Sequence, residues 1–250
     1  MKVEVVGFKQ VLGVLLMVVM SSLSYGQQYI SEGRIVYERR TNLEKRFKGE
    51  EMNRWMRNAD LSKPKIDQFE LIFSDSISVF KPIESDIPDD RSWFTMKNIS
   101  IQDFRTKKRT QEFNFMGTAV LLEDEIRTRV WRMTESTRII AGYECRQAFW
   151  VANDSTRIYA WYAEELTFST GPETFNGLPG TILGLAIEDG GVVYFAKEVK
   201  AKKVKIEEEL PKIKRKDLYT EESLRKLISE RFSSFGGSSV DRFVTDMFLW

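Results

Sequence analysis

Histidine is absent from all 250 residues of the chain. That single absence removes Ser-His-Asp triads, histidine general bases, histidine metal ligands and imidazole pH switches. Cysteine occurs once, at Cys145, so an intramolecular disulfide is impossible and cysteine-rich zinc or iron-sulfur sites are excluded. With no histidine to activate it, and with apolar neighbours on its face of an alternating segment, Cys145 reads as a buried, unreactive thiol. Net charge is missing as well. The formal value is +1, and removing Lys2, Lys9 and Glu4, which lie near the N-terminus, leaves 36 of the 38 basic and 36 of the 37 acidic residues. A neutral chain exerts no global pull on nucleic acid or on an anionic membrane. Long apolar runs are scarce: Val11 to Met20 is about ten residues, too short to span roughly 30 Å of hydrocarbon, and no later stretch reaches about 18.

What is present begins with a leader. Lys2 and Lys9 precede the short apolar run, and Ser21 to Gly26 follow it, with Ser24 and Gly26 at the two small-residue positions that a signal peptidase reads. This order predicts a secretory signal over residues 1–26, cleavage before Gln27, and an exported product, periplasmic or extracellular. No cysteine stands at the cut, so a bacterial lipid anchor is not available. Residues 27–250 then form one β-rich domain with no integral membrane span and a helical tail over 219–250.

Within that domain, alternation from Tyr29 to Tyr37 predicts a first strand. Thr41 and Glu44 form a capping-box pattern ahead of Leu43, Phe47, Met52, Trp55 and Met56, which predicts an N-terminal helix weakened by Gly49. The Met52, Trp55 and Met56 cluster is assigned to packing of that helix rather than to a soft-metal patch. Phe69 to Phe80, Asn98 to Phe104, Thr110 to Phe115 and Thr118 to Ile126 read as strands of an antiparallel meander. Arg105, Lys107, Lys108 and Arg109 read as a solvated hairpin end rather than an RNA-binding strand. Tyr143 to Val151 and Thr156 to Leu166 alternate cleanly and predict a second hairpin. Lys197 to Glu209, rich in lysine, predicts an edge strand protected by charge. Thr220, with Glu221 and Glu222, opens a helix through Phe232, and Val240, Phe243, Val244 and Met247 predict a second one after Gly236-Gly237.

The chain is organised around Gly171 to Val199. Gly177-Leu178-Pro179-Gly180 suits a type II turn, because proline fixes φ near −65° and glycine accepts positive φ. Ile182 to Ile187 and Val192 to Phe195, separated by Asp189-Gly190-Gly191, read as two strands joined by a tight turn. The sum is an α+β, β-rich fold: a curved antiparallel sheet with one N-terminal helix and two C-terminal helices packed against it.

The residues Gly171, Pro172, Phe175, Gly177, Leu178, Pro179, Gly180, Ile182 and Leu183, with Ile140 to Tyr143 and Trp161-Tyr162, resemble the GLPGLI family of small secreted envelope proteins of Gram-negative bacteria. The resemblance is best from about Ile126 to Lys200. It departs at Thr181, where the family motif carries leucine, and at Glu165-Leu166, where an isoleucine-proline pair is common. It implies export and a β-rich domain, and it implies no catalytic residue, cofactor or metal. The expected function is a non-catalytic binding or carrier/assembly protein of the cell envelope whose partner is an apolar ligand or an envelope protein, with no nucleic acid. The alternative is a carboxylate-dependent periplasmic hydrolase, for which Glu164, Glu165, Glu173 and Asp189 supply acids near the motif.

Overall fold

The computed structural model describes residues 30–46, 60–85, 91, 95–115, 118–152, 156–211 and 218–232. Alternating β-branched, aromatic and polar residues form twelve strands: β1 (Gly33–Thr41), β2 (Lys65–Phe73), β3 (Ile77–Pro82), β4 (Ile99–Asp103), β5 (Lys108–Phe115), β6 (Thr118–Glu125), β7 (Arg132–Ile140), β8 (Tyr143–Val151), β9 (Arg157–Ala163), β10 (Thr181–Ile187), β11 (Val192–Ala201) and β12 (Leu218–Tyr219). They make a single sheet in the order β12-β6-β5-β4-β3-β2-β1-β11-β10-β9-β8-β7. All pairings are antiparallel except that of β12 with β6, which is parallel. The sheet is two meanders joined where the first strand meets β11. In the centre Gly33 pairs with Ala201 and Thr41 with Val192 across a bulge at Val36/Tyr37.

The sheet rolls. β7 lies four places from β11, which is about 19 Å in a flat sheet at about 4.8 Å per strand, yet Cα atoms of the two strands approach within 8 Å. Ile140 at the end of β7 reaches back so that its Cδ1 would lie 3.0 Å from a Cβ at Gly184 on β10. One face carries the core: Tyr37, Phe69, Phe80, Ala160, Tyr162, Leu185 and Tyr194 are all fully or almost fully buried. Phe69 stacks on Phe80 at 4.9 Å and Tyr194 meets both rings. Burying an aromatic side chain of this size is worth on the order of 2–3 kcal/mol, so this cluster is a main source of stability.

The expected α+β arrangement is not what forms. Among the described residues there is one mixed sheet with three short helices: α1 (Leu43–Arg46), α2 (Ile206–Glu209) and α3 (Glu221–Phe232). The N-terminal helix amounts to a four-residue turn in which Asn42 Oδ1 accepts from Lys45 N at 3.0 Å. Its continuation, with Met52, Trp55 and Met56, lies outside the described residues, as do the leader and the second C-terminal helix. α3 forms where the capping pattern placed it, with Ser223 N donating to Thr220 Oγ1 at 3.2 Å. Its Leu224 and Ile228 pack on Phe113 and Leu122. Lys197 to Glu209 is also corrected. β11 is an interior strand between β1 and β10, and the chain leaves it after Ala201. Its lysines point to solvent from one face, so charge there reflects an uncovered face and not an edge. The sheet's edges are β7 and β12.

Candidate functional site

The connection between β9 and β10, Glu164 to Gly180, has no regular structure but lies buried against the sheet. Thr170, Thr174 and Phe175 are fully inaccessible, and Glu173, Asn176 and Leu178 nearly so. Gly171 and Pro172 are buried with them. A buried loop must find partners for its backbone, and this one does. Thr181 N donates to Leu166 O at 2.9 Å, Ile182 N to Thr170 O at 2.8 Å and Phe175 N to Pro172 O at 3.1 Å. Side chains supply the rest: Thr181 Oγ1 donates to Phe168 O at 2.7 Å, Tyr37 OH to Ile182 O at 2.6 Å and Trp131 Nε1 to Asn176 O at 2.9 Å. The motif residues are therefore brought together by packing. A Cβ on Gly171 would stand 2.7 Å from Ile182 Cβ, so the loop can close on β10 there only because Gly171 has no side chain.

The expected type II turn is replaced by a tighter one. Gly180 N donates to Leu178 O at 2.8 Å, closing a three-residue turn around Pro179. Thr181 N, which would close a type II turn, is taken by Leu166 O instead. Gly180 has φ +153° rather than the value near +80° that type II requires. Its lack of a side chain matters for a different reason: a Cβ there would lie 2.3 Å from Ala163 O. Gly177, at φ +91°, occupies the region that favours glycine.

Beneath the loop sits a polar cluster on the core face. Arg39 of β1 donates from Nη2 to Asp67 Oδ2 of β2 at 2.9 Å, and its Nη1 lies 3.9 Å from Glu173 Oε1. Tyr194 OH donates to Glu173 Oε1 at 2.7 Å. Lys65 Nζ and Thr95 Oγ1 both donate to Asp67 at 2.8 Å. Burial pushes the Glu173 carboxyl up, opposed by Arg39 and Tyr194. Asp67 goes down, because Arg39, Lys65 and Thr95 outweigh its own burial. Burial and the neighbouring Glu173 carboxylate hold the Tyr194 phenol well up. Glu173 also has φ +56°, a left-handed conformation that is uncommon and costly for a residue that carries a Cβ. Strain and a buried acid at one loop position mark it as the centre of the site.

A second group adjoins the first. Arg129, in the segment between β6 and β7, donates from Nη1 to Thr174 O at 2.8 Å and from Nη2 to Thr174 Oγ1 at 3.1 Å. Its guanidinium lies 4.1 Å from the Phe175 ring and 5.3 Å from that of Trp150. Burial pulls its pKa down to about 9, helped by repulsion from Arg127 and Arg109. Glu221, at the start of α3, takes Arg109 Nη2 at 2.6 Å and also Arg127 and Arg225. Those cations outweigh its burial and hold its carboxyl down at about 2.

Of the acids near the motif, only Glu173 joins the buried cluster. Glu164 is exposed and paired with Arg146, Glu165 is exposed, and Asp189 caps its own turn by accepting from Gly191 N at 2.7 Å. Among the described residues no group of three or more His, Cys, Asp or Glu is placed to hold a metal. Cys145 is buried, as expected, and burial lifts its thiol to about 11. Arg109, read from the sequence as part of a solvated hairpin end, is instead 1% exposed. Arg39, Asp67 and Arg129 were not singled out by sequence reasoning. The first two carried a usable signal, since each falls in phase with the apolar residues of its strand, Ile35 and Tyr37 or Phe69 and Leu71.

A family described as "Protein of unknown function (Porph_ging)", found in Bacteroidetes, matches residues 150–184, the span from β8 through the buried loop into β10. No curated protein matches the chain. Among solved structures the fold is similar to PNGF-II, in one crystal form with TM-score 0.52 and 17% identity over 76% of this chain. In another crystal form the values are 0.50, 17% and 75%. In both cases the chain spans 31% of the length of PNGF-II. An uncharacterised conserved protein from Thermus thermophilus matches with TM-score 0.40 and 7% identity, over 81% of this chain and 98% of that one.

Proposed function

We propose that the protein is an exported, non-catalytic binding or carrier/assembly module of the bacterial cell envelope, docking an apolar ligand or an envelope protein beside its GLPG turn. The observation that carries this reading is how the motif segment is used. Its polar groups turn inward and are engaged by the sheet, while Gly177 and Pro179 surface next to apolar residues. Trp131 lies 3.5 Å from where a Gly177 Cβ would be, and its neighbours Val130 and Met133 are 79% and 50% exposed. Exposed apolar residues on the segment that packs against the turn are what an interaction site requires. β7, which carries Met133, also pairs with β8 alone among the described residues, leaving a strand edge open to addition. That a similar fold fills about a third of the longer PNGF-II chain supports a module that serves other components. Export rests on the leader, and no helix among the described residues is long and apolar enough to cross a membrane.

The test is a titration of the secreted protein with phospholipid vesicles and with decyl maltoside below its micelle concentration, read by tryptophan fluorescence. N-terminal sequencing of the same material should give Gln27. Saturable binding that is lost in Val130→Asp/Met133→Asp is expected. Turnover in a glycosidase, esterase or peptidase screen that disappears in Glu173→Gln or Asp67→Asn would overturn the reading.

A further inference from the structure

Arg129 is 95% buried, being 5% exposed, yet none of its hydrogen bonds goes to a carboxylate. Its Nη atoms are held by the carbonyl and hydroxyl of Thr174, and Nε has no partner. A buried guanidinium without a counterion is costly, because removing a charge from water is offset only by an opposite charge or a full set of hydrogen bonds. The acid that does influence it, Glu221, is already shared by Arg109, Arg127 and Arg225. A second orphan donor belongs to the same polar network. Gln102 Oε1 accepts from Asn176 Nδ2 at 2.7 Å, Asn176 Nδ2 also reaches Thr174 O at 2.9 Å, and Gln102 Nε2 is left with no partner. Arg129 and Gln102 thus belong to one hydrogen-bonded network, in which Arg129 Nη1 and Asn176 Nδ2 both donate to Thr174 O and Asn176 Nδ2 also donates to Gln102 Oε1, while the two remaining donors stay unpaired.

We propose that Arg129 Nε and Gln102 Nε2 form a binding site for one oxyanion, a carboxylate or phosphate group, in the buried polar network between β4 and the loop. The guanidinium edge that includes Nε suits such a group, since it presents parallel N–H donors to two oxygens. Phe175 and Trp150 hold the guanidinium plane in place, so little side-chain freedom is lost on binding. The backbone at Arg129 lies near the surface, since Thr128 and Val130 on either side of it are both exposed. The site does not depend on the apolar rim: an anion can occupy Arg129 whether or not a partner docks at Val130 and Met133, so the two experiments fail separately.

The test is a nitrogen-proton NMR titration of the secreted protein, following the Arg129 Nε–H signal, assigned by its loss in Arg129→Lys. The probes are inorganic phosphate and sodium decanoate at constant ionic strength. Saturation by phosphate identifies a free oxyanion, and saturation by decanoate alone identifies an oxyanion carried on an apolar chain. Either supports the site, provided Gln102→Met weakens the affinity at least tenfold. A signal that moves with neither probe and shows cross-relaxation with water means that water fills the position, and the proposal falls. An equal shift with sodium chloride, or an unchanged affinity in Gln102→Met, also overturns it. Gln102→Glu is the second variant: it keeps the shape of the side chain but puts a negative charge where the amide donor stood, so it should abolish saturation by either probe, and an affinity equal to wild type in a folded Gln102→Glu overturns the proposal.

Discussion

Replacing Gly180 by alanine isolates the reason for the GLPG turn. A Cβ at that position would lie 2.3 Å from Ala163 O, 2.8 Å from Ala163 C and 3.1 Å from Glu164 Cα. All three are backbone atoms at the end of β9, so no side chain can swing aside. Either the turn or the strand end must move, and each is tied down. Thr181 N and Oγ1 hold the turn to Leu166 O and Phe168 O, while Ala163 pairs with Thr181 across the ladder. Overpacking against fixed atoms costs about 2 kcal/mol, and backbone strain adds about 2 kcal/mol. The lower entropy of the unfolded alanine chain offsets about 0.7 kcal/mol of this. The net loss is about 3 kcal/mol, or about 6–12 °C in Tm for a chain of this size. Gly142 is the control. It has φ +87° but nothing within 4 Å of its missing Cβ, so Gly142→Ala should cost about 1 kcal/mol or less. Thermal unfolding by circular dichroism of both variants decides the matter. Equal shifts in the two, or a shift below about 2 °C in Gly180→Ala, would refute the close-approach argument.

Asp67→Ala removes the acceptor shared by Arg39, Lys65 and Thr95 and leaves buried positive charge behind. A loss of about 3–5 kcal/mol in urea unfolding is expected, against about 1 kcal/mol for Thr95→Ala. Glu221 titrates at about 2 in the folded protein, below the ordinary 4.5. The unfolded chain therefore takes up the proton first as pH falls, so this stabilisation is complete above about pH 4.5 and disappears toward pH 2. Tm measured across that range should fall by an amount reflecting about 2 kcal/mol and should be flatter in Glu221→Gln. Glu173 runs the opposite way: its pKa is raised, so its contribution is greatest at low pH and is lost as pH rises through the folded value. Glu173→Gln should make the wild-type loss on alkalisation disappear, read by the same melts.

Local chemistry made much of the strand content legible. Period-two alternation marked β8 and β9, and the turn residues Asp189-Gly190-Gly191 marked the β10–β11 connection, where Gly191 N is capped by Asp189 Oδ1. Thr220 with Glu221 announced α3, because a hydroxyl cap and acidic first turn satisfy a helix start without help from elsewhere. The motif glycines and proline likewise announced a tight turn. What the sequence did not determine is long-range. That Lys197 lies on an interior strand follows from β1 pairing with β11 across more than 150 residues, and no local pattern encodes a partner so distant. The three-residue turn at Pro179 replaces type II because Leu166 competes for Thr181 N. The polar site is the clearest case. Arg39, Asp67, Glu173 and Tyr194 come from three strands and one loop, each unremarkable in its own segment. Arg129 becomes buried only when Thr174, Phe175 and Trp150 close over it. Turns and alternation depend on neighbours a few residues away and can be read along the chain. Desolvation and charge pairing depend on what folding brings within a few ångströms, and only the tertiary structure decides that.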